Sequence, residues 1–138
     1  MRVLFVCRGN MFRSQIAEVF YNRLSADGSV ANSCGTWVEL EQNPNKTLAE
    51  IGSQTAIEVM KEIGIDVSRQ KAWPITPDLV SDAEKVVVMV EEETWPDYLK
   101  NNSKVVRWEV ENPKLGDLDT CRRVRQQIYD LVSELLLQ

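Results

Sequence analysis

The chain has 138 residues, 43% of them hydrophobic and 27% charged, which is enough to bury a core without disulfides or metal. Its formal net charge of -5 argues against a nucleic-acid partner, whose backbone the field of the whole molecule would repel. Three widely spaced cysteines with no histidine suit neither a zinc site nor a disulfide framework, so no metal or cofactor is expected and a reducing, cytoplasmic setting is.

The first element is a continuous apolar run, residues 3–6, bounded by Gly9-Asn10. Such a run reads as a strand buried on both faces, the pattern of a parallel sheet, and it puts Cys7 at the carboxyl end where ligands of open α/β sheets bind. A short loop, residues 8–12, then feeds a helix. Gly9 and Asn10 tolerate left-handed backbone angles, so successive N–H groups of this loop can fold around a tetrahedral oxyanion at the helix N-terminus. Arg13 supplies a planar fork for two oxygens of that anion. The same positive field favours the thiolate of Cys7, and Ser14 can donate to it, which makes Cys7 a candidate nucleophile. Arg8 either joins a basic mouth or is an ordinary solvated side chain.

After the loop, Ile16, Ala17, Phe20 and Leu24 recur at helical spacing until Asp27-Gly28. Residues 30–34 form a second strand, and the turn after it is expected beside Cys7 if the crossover is right-handed. Trp37 in that turn either walls the pocket or covers surface. Residues 39–52 read as a long loop with one helical turn. Ala56, Met60 and Ile63 mark a second helix, stopped by Gly64, with Ile65 folding back on it. Residues 68–78, with Pro74 and Pro77, read as irregular, and residues 85–90 as the third strand. Glu91, Glu92 and Glu93 read as the solvated first turn of a helix rather than a carboxylate site. Val105-Val106 is the fourth strand, residues 108–116 a loop, and Asp117 or Asp119 starts a last helix whose Val124, Ile128, Leu131, Val132 and Leu135 share one face with Cys121. No linker, repeat, signal segment or membrane span is legible, so a single domain over residues 1–138 is expected, doubly wound and α/β.

The stretch Cys7-Arg8-Gly9-Asn10-Met11-Phe12-Arg13-Ser14, followed by Gln15-Ile16-Ala17-Glu18, resembles the active-site loop of the low-molecular-weight protein tyrosine phosphatases and of the arsenate reductases that share it. The resemblance continues in Ser33-Cys34-Gly35-Thr36, residues 56–66, Asn112-Pro113 and the last helix, and so covers nearly the whole chain. It implies a three-layer phosphotyrosine phosphatase I-like fold with a four-stranded parallel sheet of order 2-1-3-4. It also implies a phosphomonoester hydrolase acting on a phosphotyrosine-containing protein or a small aryl phosphate. In that reading Cys7 forms a cysteinyl-phosphate, and Arg13 with Arg8, Gly9, Asn10, Met11 and Phe12 holds the phosphate. Asn10 braces the loop, Ser14 bonds the thiolate, and Trp37 walls the pocket.

Two departures bear on function. The family uses an Asp before Pro as general acid, and this chain has Asn112 there, an amide with no proton to give. Many relatives carry a second Cys just before the loop Arg, where this chain has Phe12, and the reductases carry further cysteines in the middle of the chain, where residues 77–99 hold none. Cys34 and Cys121 read as small buried residues. Three functions stand open on the sequence: phosphatase, arsenate reductase, and a phosphate- or phosphotyrosine-binding module without turnover.

Overall fold

The computed structural model describes residues 1–37, 46–114 and 116–138. Four parallel strands, β1 (Arg2–Cys7), β2 (Val30–Gly35), β3 (Lys85–Val88) and β4 (Val105–Arg107), form one sheet of order β2-β1-β3-β4. The helices are α1 (Arg13–Leu24), α2 (Gln54–Lys61), α3 (Pro77–Asp82) and α4 (Leu118–Leu136). The period-two alternation of β1 explains the three layers. Val3 and Phe5 face a core with Ile16 and Phe20 of α1, Val59 and Met60 of α2, and Val124 and Ile128 of α4. Leu4 and Val6 face a second core with Cys34, Val80 of α3 and Leu99. Both faces are covered, as an uninterrupted apolar strand requires. β2 lies at the edge, and Asn22 of α1 takes up the free backbone groups of Ala31: Ala31 N–H donates to Asn22 Oδ1 at 2.7 Å and Asn22 Nδ2 to Ala31 O at 3.1 Å.

Ile128 is fully buried in the first core. Ile128→Ala is therefore expected to lower stability by about 2–5 kcal/mol, read as a lower urea midpoint at unchanged slope.

Several local expectations need correcting. Leu24 and Ile63, read as apolar-face residues, are exposed at their helix ends, and the buried positions belong to Tyr21 and Val59. The Gly64 cap holds: its φ is 80°, Ile65 N–H reaches Met60 O at 3.0 Å, and Ile65 is buried. Residues 68–78 are not irregular to their end, because Thr76 caps α3 by accepting from Leu79 N–H at 3.2 Å and Pro77 occupies its first turn. The Glu91–93 run opens no α-helix. Glu92–Thr94 is a single 3-10 turn, stopped because Trp95 precedes Pro96 and takes an extended conformation. The third strand stops at Val88, two residues short of its expected end. Of the long loop at 39–52, residues 39–45 lie outside the described residues, and Ile51 N–H to Thr47 O at 3.0 Å closes the expected helical turn. No helix among the described residues is long and apolar enough to cross a membrane.

Candidate active site

β1 delivers Cys7 to the carboxyl edge of the sheet opposite Gly35 of β2. Thr36 N–H donates to Cys7 O at 2.9 Å and Trp37 N–H to Arg8 O at 2.8 Å, so the loops after β1 and β2 run side by side. α1 begins at Arg13 without a side-chain cap, and its first intrahelical bond is Ile16 N–H to Phe12 O at 3.0 Å. The N–H groups ahead of Ile16 have no intrahelical acceptor, and the helix dipole adds positive potential beside the Cys7 sulfur.

Asn10 carries the sharp turn of the loop at φ 55°. Gly9 does not share the left-handed geometry expected of it, since it is not among the positive-φ residues, and a Cβ there would meet only the Met11 side chain, at 3.7 Å. One left-handed residue suffices because its carboxamide is anchored on both sides. Asn10 Oδ1 accepts from Trp73 N–H at 2.8 Å and from Gln15 Nε2 at 3.1 Å, and Nδ2 donates to Ser14 Oγ at 2.7 Å and Ser33 Oγ at 3.0 Å. The backbone N–H of Trp73 can only donate, so it settles which end of the amide is oxygen. Ser14 Oγ accepts from Asn10 and lies 2.9 Å from the Cys7 sulfur, so its hydrogen is free to turn toward a thiolate there.

Arg13 is almost fully buried, with 5% exposure. Its Nη1 donates to Met89 O and, at 3.1 Å, to Val110 O, tying the loops after β3 and β4 to this edge. Among the described residues Nε and Nη2 have no hydrogen-bond partner, so that side of the fork is available to an anion. Burial pulls the guanidinium below its ordinary pKa, while Cys7 and Glu91 oppose the pull. Arginine stays a cation at neutral pH nonetheless.

The remaining candidates fall as follows. Arg8 is exposed, Met11 is partly buried, and Phe12 lies in the first core. Trp37 is 65% exposed, attached to the site through its backbone. Asn112 is exposed two residues beyond the Val110 carbonyl that Arg13 holds. Asp117 is the cap of α4, accepting from Thr120 N–H at 3.2 Å and Thr120 Oγ1 at 2.7 Å, and these bonds hold its carboxyl below the usual range. Asp119 pairs with Arg122 at 3.1 Å. Both are committed to the helix start. Cys34 and Cys121 are buried and unpaired, and burial pushes both thiols up.

A sequence model of the low molecular weight phosphotyrosine protein phosphatases matches residues 2–138. The chain belongs to that family. Its relatives include a glutaredoxin arsenate reductase of Synechocystis, 31% identical over 146 residues, covering 98% of this chain and 95% of that one. The low molecular weight protein tyrosine phosphatase of T. tengcongensis superposes with a TM-score of 0.83 at 27% identity, over 99% of this chain and 97% of that chain. An arsenate reductase in a phosphate-binding state superposes at 0.74 with 29% identity, over 99% and 96% of the two chains. Low molecular weight phosphatases and arsenate reductases thus share this fold, and the Cys7 loop of this family member sits at its expected strand end.

Gln15, Glu18, Ser33, Gln70 and Trp73 received no role from sequence reasoning, although they surround the loop. Gln15 gave the one available signal, a polar residue beside Ile16 and Ala17 at the start of an otherwise apolar helical face. It is buried, and its Nε2 donates to Asn10 O at 3.0 Å and to Lys71 O at 2.8 Å.

Proposed function

We propose that this protein is a phosphomonoester hydrolase that takes phosphotyrosine, in a protein or as a small aryl phosphate, through a cysteinyl-phosphate. The observation that carries the reading is convergence: the Cys7 sulfur, the uncapped start of α1 and the buried Arg13 fork meet at one sheet edge. Cys7 attacks phosphorus, and the S–P bond forms as the P–O bond to the leaving group breaks. Arg13 and the N–H groups around residues 8–14 stabilise charge on the equatorial oxygens. The leaving oxygen takes its proton from water, because Asn112 has none to give. Water then attacks phosphorus, the S–P bond breaks, and inorganic phosphate leaves with the thiolate restored. Trp37 offers an aromatic face to an aryl substrate.

Arsenate reduction is the second reading, favoured by the names of the relatives at about this identity. Arsenate is a tetrahedral oxyanion like phosphate, but its reduction consumes two electrons from thiols. Cys34 and Cys121 are poor donors because burial disfavours their thiolates, so a reductase would draw on an external thiol.

The deciding assay compares p-nitrophenyl phosphate hydrolysis without thiol against arsenate-dependent oxidation of an added thiol. Hydrolysis without thiol is expected. Thiol oxidation without hydrolysis would install the reductase, and phosphotyrosine binding with neither activity would leave a binding module.

A further inference from the structure

The four tryptophans divide into two pairs. Trp95 packs against the second core and donates its indole N–H to Val90 O at 3.1 Å, and Trp108 packs against the first with its ring 5.6 Å from that of Phe5. Trp37 and Trp73 belong to neither core and are 65% and 45% exposed. Among the described residues neither ring stacks on another aromatic, and neither indole N–H has an acceptor. Exposed apolar residues scattered singly are ordinary, but these two share one place.

That place is the Cys7 edge. Gly35, which pairs with Cys7 of β1, donates its N–H to Trp73 O at 2.9 Å and accepts from Ile75 N–H at 2.9 Å. Trp37 follows Gly35 by two residues and holds Arg8 O of the loop through its own N–H, while the Trp73 N–H holds Asn10 Oδ1. Gln15 Nε2 fixes Lys71 O at 2.8 Å, Ala72 is buried, and the Pro74 ring fixes φ, so the backbone is pinned on both sides of Trp73. All of these bonds use the main chain of residues 71–75, and none of them requires an indole at position 73. An exposed tryptophan on a pinned backbone loses little freedom when an apolar group covers it.

We propose that Trp73, together with Trp37, takes an apolar side chain next to the phosphorylated residue, so that the substrate is a segment of protein rather than a free aryl phosphate. The inference rests on the phosphatase reading above and adds the flanking residue to it. With its phosphate in the loop, an extended segment carries its next residue about 3.4 Å further on, within reach of two residues that bond to the loop directly. A basic flank fits less well, because Arg8 beside Trp37 and Lys71 beside Trp73 are exposed cations.

Three phosphotyrosine peptides test this: one with serine on both sides of the phosphotyrosine, one with phenylalanine before it, and one with phenylalanine after it. At least one phenylalanine peptide should exceed the serine peptide about tenfold in kcat/KM. The gain should fall in KM, since the flank is bound alike in the ground and transition states. In Trp73→Ala that ratio should drop to near one, and Trp73→Phe should keep most of it; a ratio taken within one protein cancels any general loss of activity. p-Nitrophenyl phosphate has no flank, so its hydrolysis tests the phosphatase reading alone. NMR of the unaltered protein with the same peptides carrying a non-hydrolysable phosphonate should show the Trp73 indole N–H signal moving with the phenylalanine peptide and not with the serine peptide. Equal kcat/KM for all three peptides, a ratio that survives Trp73→Ala, or a Trp73 signal indifferent to phenylalanine would overturn the proposal, and hydrolysis of p-nitrophenyl phosphate would still leave the phosphatase reading in place. The NMR measurement decides even where a variant folds poorly or turnover is absent.

Discussion

Cys7→Ser is expected to lower aryl phosphate turnover by about 10⁴-fold or more while leaving inorganic phosphate binding within a few-fold of the unaltered protein. The serine hydroxyl is a far weaker nucleophile at neutral pH than a thiolate, so the chemical step fails. Binding survives because it rests on other groups: the unpaired N–H groups at the start of α1, and the Arg13 edge left over when Nη1 engages Met89 O and Val110 O. Oxygen is also smaller than sulfur, so Ser14 and Asn10 can keep their places. Stopped assays on p-nitrophenyl phosphate and calorimetric titration with phosphate measure the two effects separately. If more than a few per cent of turnover persists, Cys7 is not the nucleophile. If phosphate binding is lost with turnover, the sulfur itself organises the cradle, and the assignment of binding to Arg13 and the helix start fails.

Asn112→Asp is expected to raise turnover of phosphotyrosine by at least about tenfold, and of p-nitrophenyl phosphate much less. A tyrosyl oxygen, whose conjugate acid has a pKa of about 10, needs a proton as it leaves, and a positioned acid contributes roughly 10²- to 10⁴-fold. The late loop is already held at the site by the bond from Arg13 Nη1 to Val110 O and by Gln127 Nε2 to Glu109 O at 3.0 Å. The exposed Asn112 side chain can therefore change to a nearly isosteric acid without disturbing packing. The measurement is a series of aryl phosphates of graded leaving-group basicity. The unaltered protein should slow steeply with basicity, and the variant should flatten that slope. A flat slope in the unaltered protein would mean that another group supplies the proton. Glu111 would be first to mutate, since Asp117 and Asp119 are occupied at the start of α4.

The sequence by itself determined what depends on periodicity and local chemistry. The apolar run at residues 3–6, the helix after the Cys7 loop, the Gly64 cap and a last helix starting at Asp117 or Asp119 are all consequences of a few adjacent residues. So is the placing of Cys7, because a doubly buried strand must end somewhere and Gly9-Asn10 ends it. Short elements were less legible. The helix from Pro77 was hidden by the usual reading of proline as a breaker, and the Glu91–93 run looked helical because the block two residues later, at Trp95-Pro96, acts against the local charge pattern. Only the tertiary structure decided how the loop is held. Asn10 takes its bonds from residues 4, 5, 23 and 63 positions away, and Arg13 reaches carbonyls 76 and 97 positions away. No local pattern encodes such partners, because they meet only when β1, β2 and β3 bring their carboxyl ends to one edge. The setting of Glu18 belongs to the same class, because only the fold brings Gln70, 52 positions away, to donate to its carboxyl at 3.0 Å.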